Sequence, residues 1–340
     1  MTRRENFLRA ARFDYPDAIP MTFVFNGSCW HHYPHEALIE LIATHPYLFP
    51  SFTTEAFTPP VYDTQPGDLT TDEWGVVWVT GDPGQMGGVA KHPLADWADF
   101  EAWTSPSPEV DAENEGTRLA DAYAAGHLRV GSLEHGHTFL RYTYLRGYEN
   151  AIFDMADDEP RMHRLLGMIE DFNREVVRQS LAAGVDWMSY PEDLGMQVGP
   201  MLSPEYLRRY IKPSYTRLMQ PAREAGCVIH MHSDGDIRDL VDDLVVSGVQ
   251  VVNLQDLVNG LDWIKERLWG KVAIDLDIDR QSVVRFGTPA EIDALVRREI
   301  ALLGSKQGGL MMIHGVYPGV PLANIRALMD AMERYAGYYA

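Results

Sequence analysis

The run Val228-Ile229-His230-Met231-His232-Ser233-Asp234-Gly235 places two imidazoles and a carboxylate at alternate positions, directly behind a short β-branched stretch. On an extended strand, residues i, i+2 and i+4 face the same side. His230, His232 and Asp234 therefore converge on one side of a strand end, where Gly235 opens a turn. Such a trio can bind a metal or move a proton. A second strand end of the same kind follows at Met311-Met312-Ile313-His314-Gly315.

Elements that present these groups are legible on either side of them. Leu128 to Leu133 reads as a strand, and a helical region follows to about Ala183. Its cleanest part opens at Glu159-Pro160, an acidic residue and a proline suited to a helix start. Gly184 to Tyr190 is the next strand. Ser203-Pro204-Glu205 opens a helix with Ser203 as N-cap and Pro204 in its first turn. Strands at Gly226–His230, Val249–Leu254, Lys271–Leu276 and Gly309–Ile313 then alternate with helices at Ile237–Ser247, Leu261–Leu268, Thr288–Leu303 and Pro321–Tyr335. Ile19 to Val24 is a further strand, and Ser51 to Thr54 a weaker one. Strand–helix alternation with short connections is the pattern of a parallel sheet under a helical shell. With nearly eight strands in 340 residues, it predicts an α/β fold of the (β/α)8 TIM-barrel type. The reading is of one domain over residues 1–340, with an irregular hairpin and loop insertion at about 58–108.

In such barrels the active site lies at the C-terminal ends of the strands. Glu134, His135 and His137 follow the first strand of the repeating part. Glu192 and Asp193 follow the next, and His230, His232 and Asp234 the one after. Asn253, Gln255 and Asp256 come next, then Asp275, Asp277 and Asp279, and finally His314 and Tyr317. Two histidines and a carboxylate leave positions open for water or substrate, as in hydrolytic zinc and non-haem iron sites. His232, Asp234 and His314 are the leading metal triad. Glu192 suits either a fourth ligand position or a general base, Asp193 stands near the triad for proton transfer, and Tyr317 is a further catalytic group. Glu134, His137, His230, Gln255, Asp275 and Asp277 are candidate substrate contacts. Simpler roles exist for several of these. Asp234 can cap the helix that begins near Ile237. His230, the pair His31-His32 and the pair His135/His137 can be packed or surface histidines, and Trp74 and Trp78 packing residues.

Composition narrows the function classes. The net charge of -20 leaves no basic surplus to neutralise phosphates, which argues against nucleic acid and anionic membrane partners. Two separated cysteines, Cys29 and Cys227, form no CxxC, so neither a disulfide framework nor a thiolate-rich zinc site is expected. No apolar run reaches membrane-spanning length, and the first residues have no signal-peptide core. A cytoplasmic protein is expected, and a homodimer is compatible with it.

Several blocks resemble one family. Thr2-Arg3-Arg4-Glu5-Asn6-Phe7 through Pro16-Asp17-Ala18-Ile19-Pro20 is similar to the N-terminal signature of the uroporphyrinogen decarboxylase superfamily. Asp72-Glu73-Trp74-Gly75, with Gly87-Gly88 and Pro93-Leu94, is similar to its hairpin region. Glu192-Asp193-Leu194-Gly195 with Ser203-Pro204-Glu205, His232-Ser233-Asp234-Gly235-Asp236-Ile237, Phe286-Gly287-Thr288-Pro289 and Pro321-Leu322-Ala323-Asn324-Ile325 resemble four further blocks, in order along nearly the whole chain. The resemblance implies a (β/α)8 barrel and points to the branch of cobalamin-linked methyltransferases. That branch binds zinc through a His-x-Cys pair and a later Cys, positions that fall on His232, Asp234 and His314 here. Replacement of both cysteines makes the ligand set harder, open to Zn²⁺ first and to Fe²⁺ or Mn²⁺ as well. The decarboxylase itself is the poorer match. Its N-terminal Arg-Gln-Ala-Gly-Arg segment is replaced by Phe25-Asn26-Gly27-Ser28-Cys29-Trp30-His31-His32, and a polycarboxylate substrate calls for arginines.

The resemblance thus implies a metal-dependent methyltransferase acting on a small methylated substrate such as a methoxy compound, with a corrinoid protein carrying cobalamin as partner. The alternative is a corrinoid-independent metal lyase, decarboxylase (the uroporphyrinogen decarboxylase type included) or hydrolase. A third reading is a non-catalytic ligand-binding barrel.

Overall fold

The computed structural model describes residues 1–108 and 112–339. Among the described residues ten strands follow one another: β1 (Met21–Phe25), β2 (Leu69–Thr71), β3 (Val77–Asp82), β4 (Gln85–Lys91), β5 (Val130–Ser132), β6 (Trp187–Ser189), β7 (Val228–Ser233), β8 (Val251–Gln255), β9 (Ala273–Asp277) and β10 (Leu310–Val316). β2, β3 and β4 form a small separate sheet within the expected insertion. The described residues gather into two compact units. The first comprises Met1–Leu8, Thr71–Val77 and Val89–Asn259, the second Arg9–Thr70, Trp78–Gly88 and Gly260–Ala340.

In the first unit β5, β6, β7 and β8 lie side by side, all parallel. Gly131 is level with Met188, Ser189 with His230, and His232 with Asn253. Parallel neighbours require a crossover, and helices supply it. The longest is Pro160–Ala182, capped by Glu159, whose carboxylate accepts from the Arg161 N–H, with Pro160 in its first turn. It buries Met162, Leu165, Leu166, Ile169, Phe172 and Val177, which recur at helical spacing along one stripe. Each such side chain contributes roughly 1.5–3 kcal/mol when fully buried. Ser203 caps the next helical segment as expected, accepting from the Tyr206 N–H at 3.1 Å.

In the second unit β1 pairs with β10 and β10 with β9, again in parallel. The helix Pro289–Leu303 opens with a full capping box between Thr288 and Glu291, and Leu322–Ala336 follows β10. Both units thus alternate strand and helix with parallel pairing, the α/β pattern of the TIM-barrel class. The strand expected at Ser51–Thr54 does not form, and a 3-10 turn at Thr54–Ala56 lies there instead. Pro50, directly before this stretch, lacks a donor, and the Phe52 N–H is taken by Phe49 O at 3.2 Å and the Ala56 N–H by Thr53 O at 3.3 Å in local turns. β7 and β10 run further than the strands expected to end at His230 and Ile313, and extend through His232 and His314.

Candidate functional site

β7 alternates as its sequence requires. Met231 and Ser233 are buried, whereas His230 and His232 share the partly exposed face. His232 is level with Asn253 on β8, and its Nδ1 lies 2.6 Å from Asn253 Oδ1. The amide oxygen accepts, so Nδ1 holds the proton and Nε2 is directed elsewhere. Nε2 lies 3.4 Å from Asp193 Oδ1 and 3.6 Å from Asp234 Oδ1. Asp193 Oδ2 lies 3.3 Å from Nε2 of His135, and the rings of His135 and His232 are 5.8 Å apart. Ligand atoms of His135, Asp193 and His232 all fall within 4.8 Å of one another.

Electrostatics agree with this geometry. Burial opposes a charged His232, but Asp193 and Asp234 outweigh it and hold the imidazole up to about 9. Burial likewise works to raise the Asp193 carboxyl, yet the two imidazoles keep it well below the usual carboxylate range. The pocket therefore favours positive charge between His232 and the carboxylates. Two imidazole nitrogens and one carboxylate, with a fixed tautomer on His232, fit a divalent cation of the zinc class, and Asn253 is the orienting partner that such a histidine needs.

Three loops meet here, one from each of β5, β6 and β7. The Gly136 N–H donates to Pro191 O at 2.9 Å, and the Asp234 N–H to Asp193 Oδ1 at 2.9 Å. Gly235 has φ +80°, and a Cβ there would come within 2.2 Å of the Gly195 backbone, so only glycine permits this approach of the β6 and β7 loops.

The other candidates in this unit are placed as follows. Glu192 is fully buried. Its carboxylate accepts from the backbone N–H groups of Thr138, Phe139 and Leu140, and from the Tyr215 hydroxyl. Burial pushes its carboxyl up, against those donors. Its acceptor capacity is thus committed to the start of the helix Phe139–Arg146. Glu134 is paired with Arg141 at 2.7 Å. His230 Nδ1 is 3.1 Å from Ser189 Oγ, and its ring lies 5.4 Å from that of Trp187. Gln255 Oε1 accepts from the Gly235 N–H at 3.0 Å, so it braces the β7 turn. Trp74 is buried against Phe172, a packing role. The sequence alone marks Asn253 only as a strand-end amide. Its pairing with His232 needs the β7–β8 register, which no local signal carries.

His137 is 2% exposed, with Nδ1 at 2.6 Å from Thr138 Oγ1 and no hydrogen-bond partner for Nε2 among the described residues. Burial drives it down from 6.5 to about 3, so it stays neutral. A folded-state value below the unfolded one contributes stability above pH 6.5 that is lost as pH falls toward 3. The full effect is of the order of 5 kcal/mol. The expected result is that His137→Phe flattens the decline in urea midpoint between pH 6.5 and pH 4. An unchanged decline would show that this imidazole does not take up a proton on unfolding.

In the second unit His314 is buried, its Nδ1 held 3.0 Å from Ile278 O, and burial lowers it to about 4. Its Nε2 has no hydrogen-bond partner among the described residues. Asp277 is buried and paired with Arg280 at 2.6 Å. Asp275 is half-buried on β9. Tyr317 is 38% exposed, with the Arg280 guanidinium 5.7 Å from its ring centre. No helix among the described residues is long and apolar enough to cross a membrane.

A parallel α/β scaffold with ionisable groups at its strand ends is of the TIM-barrel class, in which active sites lie at those strand ends. The sequence profile of the Uroporphyrinogen decarboxylase (URO-D) family matches residues 83–335, and the chain belongs to that family. Curated relatives include the uroporphyrinogen decarboxylases of Thermus thermophilus, 28% identical over 183 residues, and of Danio rerio, 26% identical over 184 residues. These matches cover 54% and 51% of this chain, and the chain spans about half the length of each relative, 51% and 47%. Among solved structures, a methyltransferase from Methanosarcina mazei superposes over 98% of this chain and 99% of its own, with a TM-score of 0.69 and 15% identity. That likeness establishes the shared fold.

Proposed function

We propose that this chain is a metal-dependent methyltransferase that acts on a small methylated substrate, such as a methoxy compound, with a corrinoid protein as methyl acceptor or donor. The observation that carries this reading is the His135–Asp193–His232 group, whose ligand atoms lie within 4.8 Å of one another. The shared fold with a methyltransferase over almost the full chain supports it. His232, oriented by Asn253, would hold the cation together with His135 and Asp193. A bound Zn²⁺ supplies Lewis-acid polarisation and a template for the substrate oxygen or sulfur. Asp193 and Asp234 supply the negative field that retains the cation, and the Asn253 contact keeps the His232 lone pair facing it. With nitrogen and oxygen donors only, the site suits oxygen-bearing substrates better than the soft, thiolate-rich sites that favour thiols.

Purified protein loaded with Zn²⁺ should transfer a methyl group between a methoxy-substrate panel and a corrinoid protein, read from the corrinoid visible spectrum. Absence of transfer across the panel, with a corrinoid protein shown to be active with another methyltransferase, would count against the reading.

The second reading is a decarboxylase, favoured by the names of the curated relatives. The stretch Phe25–His32 after β1 contains no arginine, which leaves that end of the second unit poorly equipped for a polycarboxylate. Formation of coproporphyrinogen from uroporphyrinogen would establish this reading over the first.

A further inference from the structure

Two of the three candidate ligands sit on loops, and loops hold geometry only when something fixes them. Asp193 follows β6, and His135 follows β5. Between these loops the Leu133 N–H donates to Ser189 O at 3.0 Å and the Gly136 N–H to Pro191 O at 2.9 Å. Beyond Gly136, Glu192 takes over. Its carboxylate receives the Phe139 N–H at 2.8 Å and the Thr138 and Leu140 N–H groups at 3.3 Å each. Its own N–H donates to His232 O at 3.0 Å. One residue therefore bonds the segment behind His135 through its side chain and the strand of His232 through its backbone, while being the chain neighbour of Asp193. Tyr215, from the helix Lys212–Glu224, is itself fully buried and donates its hydroxyl to the same carboxylate.

We infer that Glu192 and Tyr215 form a buried positioning clamp that sets the spacing of His135, Asp193 and His232, so that cation affinity depends on a hydroxyl outside the ligand set. This inference rests on the cation reading of that group and adds to it the residues that preorganise the site. Glu192 and Asp193 are adjacent, but their carboxylates take different partners. Asp193 faces the imidazoles and Glu192 the interior. A carboxylate in a fully buried position is costly unless it is satisfied by donors, and four donors converge on this one. Tyr215 has no contact with His135, Asp193 or His232 among those described; its ring packs 5.5 Å from that of His137, a contact that Tyr215→Phe keeps, so the effect of the hydroxyl passes through Glu192.

The test uses the full-length protein and metal alone. Co²⁺ and Zn²⁺ binding is measured by titration calorimetry, and the Co²⁺ visible spectrum reports coordination, for the unmodified chain and for Tyr215→Phe, Glu192→Gln and the double variant. Far-ultraviolet circular dichroism confirms that each is folded at the assay temperature. Tyr215→Phe, which removes a single oxygen, is the variant least able to unfold the chain. The expected result is a loss of about 10- to 100-fold in affinity for each single variant, the range found when an orienting partner of a ligand is removed, with an altered Co²⁺ spectrum. The double variant should lose no more than the weaker-binding single variant, because both changes open one clamp. Affinities equal to the unmodified chain, or losses that simply add, would overturn the clamp while leaving the cation site standing. An unmodified chain that binds neither ion would overturn the cation reading itself, and the clamp with it.

Discussion

His232→Ala is expected to weaken Zn²⁺ and Co²⁺ binding by more than the about 100-fold that marks the loss of a supporting residue, and to abolish methyl transfer. His232 is the member of the candidate group that faces both carboxylates, with Nε2 3.4 Å from Asp193 and 3.6 Å from Asp234. Its removal leaves His135 and Asp193 as a two-ligand remnant, short of the three protein ligands that open zinc sites employ. It also leaves two carboxylates facing each other with no positive group between them. The Asn253→Ala variant should fall in between, because it keeps the ligand and loses only the acceptor at 2.6 Å that holds the tautomer. Metal content after dialysis and titration calorimetry check both variants. Stoichiometric, tightly held metal in His232→Ala would show that the cation lies elsewhere. Metal binding should also weaken in acid. His232 is raised to about 9 by its carboxylates, so the cation must displace a proton, and affinity should rise with pH up to that value.

The second large effect concerns stability. Asp186→Ala is expected to cost about 3 kcal/mol, at the lower end of what breaking a buried ion pair costs. Asp186 stands at the entry to β6 and its side chain is only 9% exposed. Arg4 approaches both carboxylate oxygens at 2.8 Å, and Arg129 approaches them at 3.0 and 2.7 Å. Both contacts are fork-like and charge-assisted. Both guanidinium groups also lie against the Tyr123 ring, at 5.5 and 5.0 Å. Removing the carboxylate strands two cations of like sign beside each other. Because both arginines keep about a quarter of their surface in water, 26% and 29%, the cost does not reach the top of the range. Asp186→Asn, which retains one acceptor oxygen, should lose less.

The same pair dictates an acid limb. Burial tends to raise the Asp186 carboxyl, but the two arginines overcome this and keep it well below its ordinary 3.8. A depressed folded-state value contributes stability that is present above the ordinary carboxylate range and disappears as pH falls beneath it. The unmodified protein should therefore lose more stability than Asp186→Ala between pH 5 and the acid transition, the window in which an unfolded carboxyl takes up its proton. Chemical denaturation at a series of pH values separates this from His137, whose loss begins higher, at 6.5. Parallel curves for the two proteins would show that Asp186 is not ionised against its arginines.

Much of the architecture is local in origin and so could be read from the chain. Pro160 behind Glu159, Ser203 before Pro204 and the Thr288–Glu291 box act within three residues of themselves, and each opens a helix as expected. The face shared by His230 and His232 follows from strand periodicity alone. Ser51–Thr54 shows the limit of that reasoning. Its β-compatible residues follow Pro50, and backbone hydrogen bonding in local turns rather than side-chain type decided against a strand.

The site divides along the same line. The sequence by itself determined that ionisable groups, the adjacent carboxylates Glu192 and Asp193 among them, crowd the strand ends, and that His232 faces the open side of its strand. It could not determine which of those two carboxylates turns inward, because that depends on which loop covers it. Nor could it bring His135 to Asp193, or Asn253 to His232, since these approaches depend on parallel register and on loops meeting across three strands. Tertiary structure decided both, through the contact of Gly195 with Gly235, the β7–β8 register and a buried tyrosine on a distant helix. Local rules place side chains on a face, but only packing sets the distances between faces, and a ligand set is defined by those distances.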